Sequence, residues 1–349
     1  MRFQTIAWKK DHLELIDQTE LPEKTTYVRC WNLEDVWSAI RNMKVRGAPA
    51  IGVTAAFGIY LGMKNSKAVQ MDDFVCEFKR VTREMAQARP TARNLFDTIE
   101  RMEQVVRANL NKAPSELKRF LLDKALEIQS EDIQLCRAIG KFGQKLIRTQ
   151  DSILTHCNAG ALATAGMGTA LAVVYTAHSR GKKIRVFATE TRPFLQGARL
   201  TAWELSKNRI PVSLVCDNMV GYLMREKKID KVIVGADRIA RNGDTANKIG
   251  TYTIAELARA NRIPFYVAAP STTFDFSLKS GKEIPIEMRN GNEVINAFRR
   301  KVVPHGVPIL NPAFDVTPNE LISGIITEQG VFYPPYQRTL SKLKRSHSS

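Results

Sequence analysis

Ser152-Ile153-Leu154-Thr155-His156-Cys157-Asn158-Ala159-Gly160 decides the fold, because an apolar run breaks there into a polar asparagine and small residues that can open a helix. Val232-Ile233-Val234-Gly235-Ala236-Asp237-Arg238 repeats the layout with a carboxylate in the place of the thiol. Further apolar runs at 184–188, 212–215 and 264–268 continue the series, with helical segments such as 161–179, 195–208 and 246–260 following the runs. Buried strands alternating with helices predict an α/β chain with a mainly parallel, doubly wound sheet. Such sheets bind ligands beyond the carboxyl ends of their strands. Cys157, Glu190, Asp217, Asp237 and the Ala269-Pro270 turn stand at those ends.

Before about residue 151 the period differs. Apolar residues recur at three and four positions through 74–85, 95–110 and 117–147, so the stretch from about 32 to 148 reads as a helix bundle. Short β-branched and aromatic runs at 3–8 and 26–30 precede it and suit strands. A chain of 349 residues exceeds the size at which single cores stop growing, around 250 to 300 residues. We therefore expect two domains, a mainly helical one at 1–148 and a doubly wound one at 149–349.

Composition narrows the classes. Apolar stretches such as 170–175 fall well short of the roughly 20 residues that cross a bilayer, and the N-terminus lacks the apolar region of a secretory signal. A cytoplasmic protein with no membrane partner is expected. The five cysteines lie far apart with no CxxC pair, which points to reduced thiols rather than a disulfide framework or a zinc site. The five histidines show no HExxH spacing, so no metal is expected. No Walker A pattern occurs, and Gly166-Met167-Gly168 is too weak to carry a dinucleotide, so no nucleotide cofactor is required. A net charge of +17 favours anionic partners without choosing among them. Its basic residues are spread along the chain and concentrate only at 338–345, which reads as solvated surface; no nucleic-acid partner is expected.

Several residues suit chemistry. Cys157 is expected near the N-terminus of the following helix, where the dipole favours a thiolate; the same position suits a buried, inert thiol. Asp237 follows an apolar strand, where burial would raise its pKa into an acid/base range; an ion pair with Arg238 or Arg241 is the structural alternative. Asn242-Gly243-Asp244-Thr245-Ala246-Asn247-Lys248-Ile249-Gly250 reads as a turn into a helix that sets Asn247 and Lys248 beside unpaired backbone donors, a composition that suits phosphate or an ordinary helix cap. Val45-Arg46-Gly47-Ala48-Pro49-Ala50-Ile51-Gly52 joins a guanidinium to small residues, and suits either a ligand or a tight turn into a helix. Arg89-Pro90-Thr91-Ala92-Arg93-Asn94-Leu95 offers two arginines around a helix start, and Gln196 an amide for substrate hydroxyls.

These segments together resemble the methylthioribose-1-phosphate isomerases, the aldose–ketose isomerases of methionine salvage. The resemblance runs from Arg46-Gly47-Ala48-Pro49-Ala50-Ile51-Gly52 to Asn311-Pro312-Ala313-Phe314-Asp315, and its most specific parts are Thr155-His156-Cys157-Asn158-Ala159-Gly160, Glu190-Thr191-Arg192-Pro193 with Gln196-Gly197-Ala198-Arg199, and Gly235-Ala236-Asp237-Arg238 with Asn247-Lys248. It implies a helical N-terminal domain, a Rossmann-like C-terminal domain, a homodimer, and no metal or organic cofactor. Asp237 would be the proton donor and Cys157 its catalytic partner. Arg46, Gly47, Ala48, Arg89, Gln196, Asn247 and Lys248 would contact a sugar phosphate. Arg93 departs from the family pattern, which has a small apolar residue there. The superfamily also contains ribose-1,5-bisphosphate and 5-deoxyribose-1-phosphate isomerases, and non-catalytic regulatory subunits of a translation-initiation exchange factor. Possession of both Cys157 and Asp237 argues against the regulatory reading.

Overall fold

The computed structural model describes residues 1–90, 92–295 and 301–343. Thr91 of the 89–95 motif lies outside them, as do Lys344, Arg345, His347 and the serines of the tail. The chain divides into two compact units, Met1–Gln134 with Ala161–Gly168, and Leu135–Gly160 with Thr169–Ser349.

In the first unit, β1 (Ile6–Trp8), β2 (Leu13–Ile16) and β3 (Tyr27–Cys30) form an antiparallel sheet. The runs expected as strands supply β1 and β3. Leu13-Glu14-Leu15-Ile16 is too short to declare a period, and becomes β2 by pairing with both neighbours. Helices α1 (Leu33–Arg41), α2 (Ala48–Lys64), α3 (Met71–Ala86) and α4 (Arg93–Ala108) follow, and then α5 (Pro114–Gly143), whose residues from Leu135 on belong to the second unit. A reciprocal cap starts α1: the Asp35 amide donates to Asn32 at 2.9 Å, and the Trp31 amide donates to the Asp35 carboxylate at 2.8 Å. Almost every side of α2 is buried, so it forms the centre of the bundle. Its Phe57 is fully buried and stacks on Trp8 at 5.2 Å between centroids; burial of such a ring stabilises by ~1.5–3 kcal/mol.

The strands of the second unit are β4 (Ser152–Thr155), β5 (Arg185–Thr189), β6 (Val212–Val215), β7 (Lys231–Val234), β8 (Arg238–Ala240), β9 (Thr245–Lys248), β10 (Phe265–Ala268), β11 (Phe274–Asp275), β12 (Phe314–Thr317), β13 (Gly324–Thr327) and β14 (Gly330–Phe332). Among the described residues one sheet has the order β14-β13-β10-β7-β4-β5-β6, parallel except for β14. The chain moves outward from β4 through β5 and β6, then returns to β7 and moves the other way through β10 and β13. That is the 3-2-1-4-5-6 order of the doubly wound fold, and the reversal falls between β4 and β7. The expected α/β class is borne out. Val232, Val234, Phe265, Val267 and Ile325 form much of the buried core, as continuous apolar strands covered on both faces require.

Three helical expectations are corrected. Within 161–179 the α-helix is α6 (Ala170–Ser179), preceded by a tight turn at Ala161–Ala163. Within 195–208 a wide π-helical turn, Gly197–Thr201, leads into α7 (Ala202–Lys207), and α8 (Val220–Arg225) follows β6. Within 246–260 the helix α9 covers only Thr251–Ala260, because residues 245–248 are β9, paired on one side with β8 and on the other with β12. This second sheet, β11-β8-β9-β12, was not expected, since its strands are short and mostly polar. Among the described residues no helix is long and apolar enough to cross a membrane.

Candidate active site

The reversal between β4 and β7 makes neighbours of the two strands that lead to Cys157 and Asp237. The strands pair directly, Ile153 with Lys231 and Leu154 with Val232, so their backbones run about 4.8 Å apart. Cys157 follows the end of β4 and Asp237 the end of β7. Cys157 is half-buried and has a left-handed backbone, φ +62°. Its amide donates to Thr191 Oγ1 at 2.9 Å, and its carbonyl accepts from Thr201 Oγ1 at 2.7 Å. The expected helix N-terminus is not beside it, because α6 begins only at Ala170.

Asp237 also departs from expectation, since its side chain is exposed: the chain emerges from the sheet after the buried Gly235, and Asp237 is the first exposed residue beyond it. Its amide donates to Ala246 O at 2.9 Å, which ties it to β9. Arg238 and Arg241, the arginines weighed as ion-pair partners, reach Asp275 at 3.8 Å and the Phe276 carbonyl respectively.

Asn247 and Lys248 lie on β9, next to Ala246. The Asn247 amide nitrogen donates to Thr251 Oγ1 at 3.0 Å. Lys248 Nζ donates to Ala313 O at 2.9 Å and stands 4.7 Å from the Phe314 ring centroid. The backbone donors where α9 begins are not left open for an anion, as the sequence suggested. Gly250 N and Tyr252 N donate to the two carboxylate oxygens of Asp315 on β12, at 2.7 and 3.0 Å. Burial pushes the Asp315 carboxyl up to about 6, against the opposing pull of those bonds and of Lys248. Gly250 has φ +101°, and a Cβ there would stand 3.2 Å from the His156 ring, so this junction requires glycine.

Gln196 is buried at the start of the π-helical turn after β5, and among the described residues its Oε1 has no hydrogen-bond partner. A buried amide oxygen left in that state is costly unless something meets it. The second unit thus brings Cys157 and Asp237 to adjacent strand ends and sets Asn247 and Lys248 beyond Asp237's backbone partner.

In the first unit, Arg46 is buried and Arg89 half-buried. Gly47 caps α2 at φ +92°, and a Cβ there would lie 2.6 Å from Ala163, so the turn before Ala48 requires glycine at position 47. Arg93 is exposed and stands 3.8 Å from Asp97 one turn along α4, which turns the family departure outward.

Sequence reasoning missed the buried polar residues behind Cys157. His156 Nδ1 lies 2.6 Å from Thr189 Oγ1 and its Nε2 2.8 Å from Ile249 O. Asp217, half-buried and already placed at a strand end by the sequence, accepts from the amides of Thr191 and Arg192 at 2.8 and 2.7 Å. The available signal was the adjacency of His156 to Cys157 and the pair of threonines closing β5. Among the described residues no cluster of three or more His, Cys, Asp or Glu side chains is placed to hold a metal ion.

The chain is 53% identical over 343 residues to a methylthioribose-1-phosphate isomerase of Geotalea uraniireducens (strain Rf4), covering 98% of this chain and 99% of the relative. It is 50% identical over 343 residues to a 5-deoxyribose 1-phosphate isomerase of Moorella thermoacetica (strain ATCC 39073 / JCM 9320), covering 98% of each. The crystal structure of 5-methylthioribose 1-phosphate isomerase from Pyrococcus horikoshii OT3 matches with a TM-score of 0.93 at 43% identity, covering 97% of this chain and 95% of that one. Residues 44–334 match the Initiation factor 2 subunit family, and with this match and these full-length likenesses the chain belongs to that family.

Proposed function

We propose that the chain is an aldose–ketose isomerase that converts 5-methylthioribose 1-phosphate into 5-methylthioribulose 1-phosphate, a step of methionine salvage. The observation that carries the reading is the placement of Cys157 and Asp237 at neighbouring strand ends on either side of the reversal between β4 and β7.

The chemistry explains the pair. A sugar 1-phosphate has its anomeric oxygen locked in the ester, so the ring opens only if its own oxygen receives a proton as the C1–O bond breaks. Asp237 delivers that proton. Hydrogen then passes from C2 to C1, and the C2 hydroxyl becomes the carbonyl as its proton returns to the Asp237 carboxylate, so the product is an isomer and the acid is restored. In the enediol route Cys157 takes the proton from C2 and returns it to C1; in the other route the hydrogen moves as a hydride. Substrate contacts come from Arg46, Gly47, Ala48, Arg89, Gln196, Asn247 and Lys248, whose cations and amides suit a phosphate and sugar hydroxyls. The working assembly is a homodimer in the cytoplasm.

The Moorella relative supports a second reading, a preference for 5-deoxyribose 1-phosphate. One experiment separates these: incubate the protein with 5-methylthioribose 1-phosphate, 5-deoxyribose 1-phosphate and ribose 1,5-bisphosphate in turn, and compare kcat/KM for ketose formation. The highest value is expected with the methylthio sugar. A higher value with another sugar moves the assignment to it, and turnover of none sinks the enzyme reading in favour of a regulatory subunit.

A further inference from the structure

Both backbone polar groups of Cys157 are held by fully buried threonines, its amide by Thr191 and its carbonyl by Thr201. The residue so clamped has φ +62°, a conformation a non-glycine residue keeps only where its surroundings over-determine it. Thr191 is itself at φ +62° and gives its amide to Asp217 at 2.8 Å. Its Oγ1 lies 3.1 Å from Thr189 Oγ1, which lies 2.6 Å from His156 Nδ1, and His156 Nε2 lies 2.8 Å from Ile249 O.

The proton positions follow from the far end of this chain. A carbonyl only accepts, so Nε2 carries hydrogen. Burial lowers the His156 pKa and keeps the ring neutral, so Nδ1 accepts. The Thr189 hydroxyl therefore donates to Nδ1 and accepts from the Thr191 hydroxyl, which in turn accepts from the Cys157 amide. The Thr189 carbonyl also lies within reach of the Thr191 hydroxyl, at 3.3 Å against 3.1 Å for Thr189 Oγ1, so the one Thr191 proton is shared between them. The chain runs one way, from the thiol-bearing residue to Ile249, the residue after Lys248.

We infer that Thr191, Thr189 and His156 are positioning residues, which lock the left-handed backbone of Cys157 and tie it to the Asn247-Lys248 end of β9 so that thiol and phosphate contacts share one frame. The inference rests on the reading of Cys157 as a catalytic group. None of the three needs to touch the sugar.

Thr191→Val keeps the shape and removes the acceptor, whereas Thr191→Ser keeps the hydroxyl. In the full chain, kcat and KM for 5-methylthioribose 1-phosphate are measured beside the pH profile of iodoacetamide alkylation at Cys157, read by peptide mass spectrometry. Thr191→Val should lower kcat about tenfold or more with KM within about twofold, and displace the alkylation profile. Thr191→Ser should restore both to within about threefold. Wild-type kcat and profile in Thr191→Val would overturn the inference, as would a Ser variant as damaged as the Val variant. Should Thr191→Val not fold, Thr189→Val, which cuts the next link, answers by the same readouts and the same criteria. Normal turnover by Cys157→Ser would instead sink the catalytic reading, and the alkylation profile would still report whether Thr191 sets the thiol's surroundings.

Discussion

At the residue scale, Cys157 and Asp237 stand at neighbouring strand ends but differ in setting: the thiol-bearing residue is half-buried on a clamped backbone, and Asp237 is exposed, with its amide tied to β9. This division suits a carboxyl that meets the sugar as it arrives and a thiol whose direction is set in advance. Asp237→Asn keeps size and removes the acid, so turnover should fall by about a thousandfold or more while phosphate-ester binding by calorimetry stays nearly intact. Cys157→Ser should lose kcat by about a hundredfold or more with little change in KM, the sign of an interaction made in the transition state. A near-normal kcat in either variant removes that residue from the mechanism. Both groups were visible in the sequence because each ends an apolar run. The polar chain behind Cys157 was not, because threonine and histidine on a buried strand look like ordinary side chains until their partners are known.

Elements are held by carboxylates that the chain has taken out of water. Asp315 on β12 caps α9 through Gly250 and Tyr252, and Asp132 on α5 accepts the Ala165 amide at 2.6 Å, holding the 161–168 segment that follows the Cys157 loop. Burial pushes both carboxyls up to about 6 from an ordinary value of 3.8. Between those values the folded chain binds protons that the unfolded chain has released. Stability contributed by each site therefore falls as pH rises from about 4 to about 6, and is level above that. Asparagine at either position keeps one acceptor and removes the titration. The Tm difference between variant and wild type should then move in the variant's favour by roughly 3 °C as pH rises from about 4.5 to about 7. A difference that is the same at both pH values would contradict these shifts. The same scale explains the misread 246–260 helix: Thr245-Ala246-Asn247-Lys248 has no apolar alternation, and its strand form comes from hydrogen bonds to β8 and β12.

For the whole molecule, the proposed homodimer predicts a sedimentation-equilibrium mass near twice the 39.2 kDa of the chain, and a monomer at working concentration would refute it. The sequence by itself determined the α/β class and five of the parallel strands, because Ile153-Leu154, Val186-Phe187, Val232-Ile233-Val234 and their like are continuous β-branched and apolar runs that only a sheet covered on both faces can bury. It also placed Cys157 and Asp237, the pair proposed for the chemistry, at strand ends, since thiol and carboxylate follow such runs. Tertiary structure alone decided the order of the strands, and with it that β4 and β7 are neighbours, because pairing is a choice among edges that no local pattern encodes. It alone decided that the start of α9 is closed by Asp315, and that Cys157 is joined to Ile249 through His156, Thr189 and Thr191. Apart from the Thr189–Thr191 contact, those bonds link residues 33 to 93 positions apart, and a hydrogen bond at that separation exists only once the strands have packed.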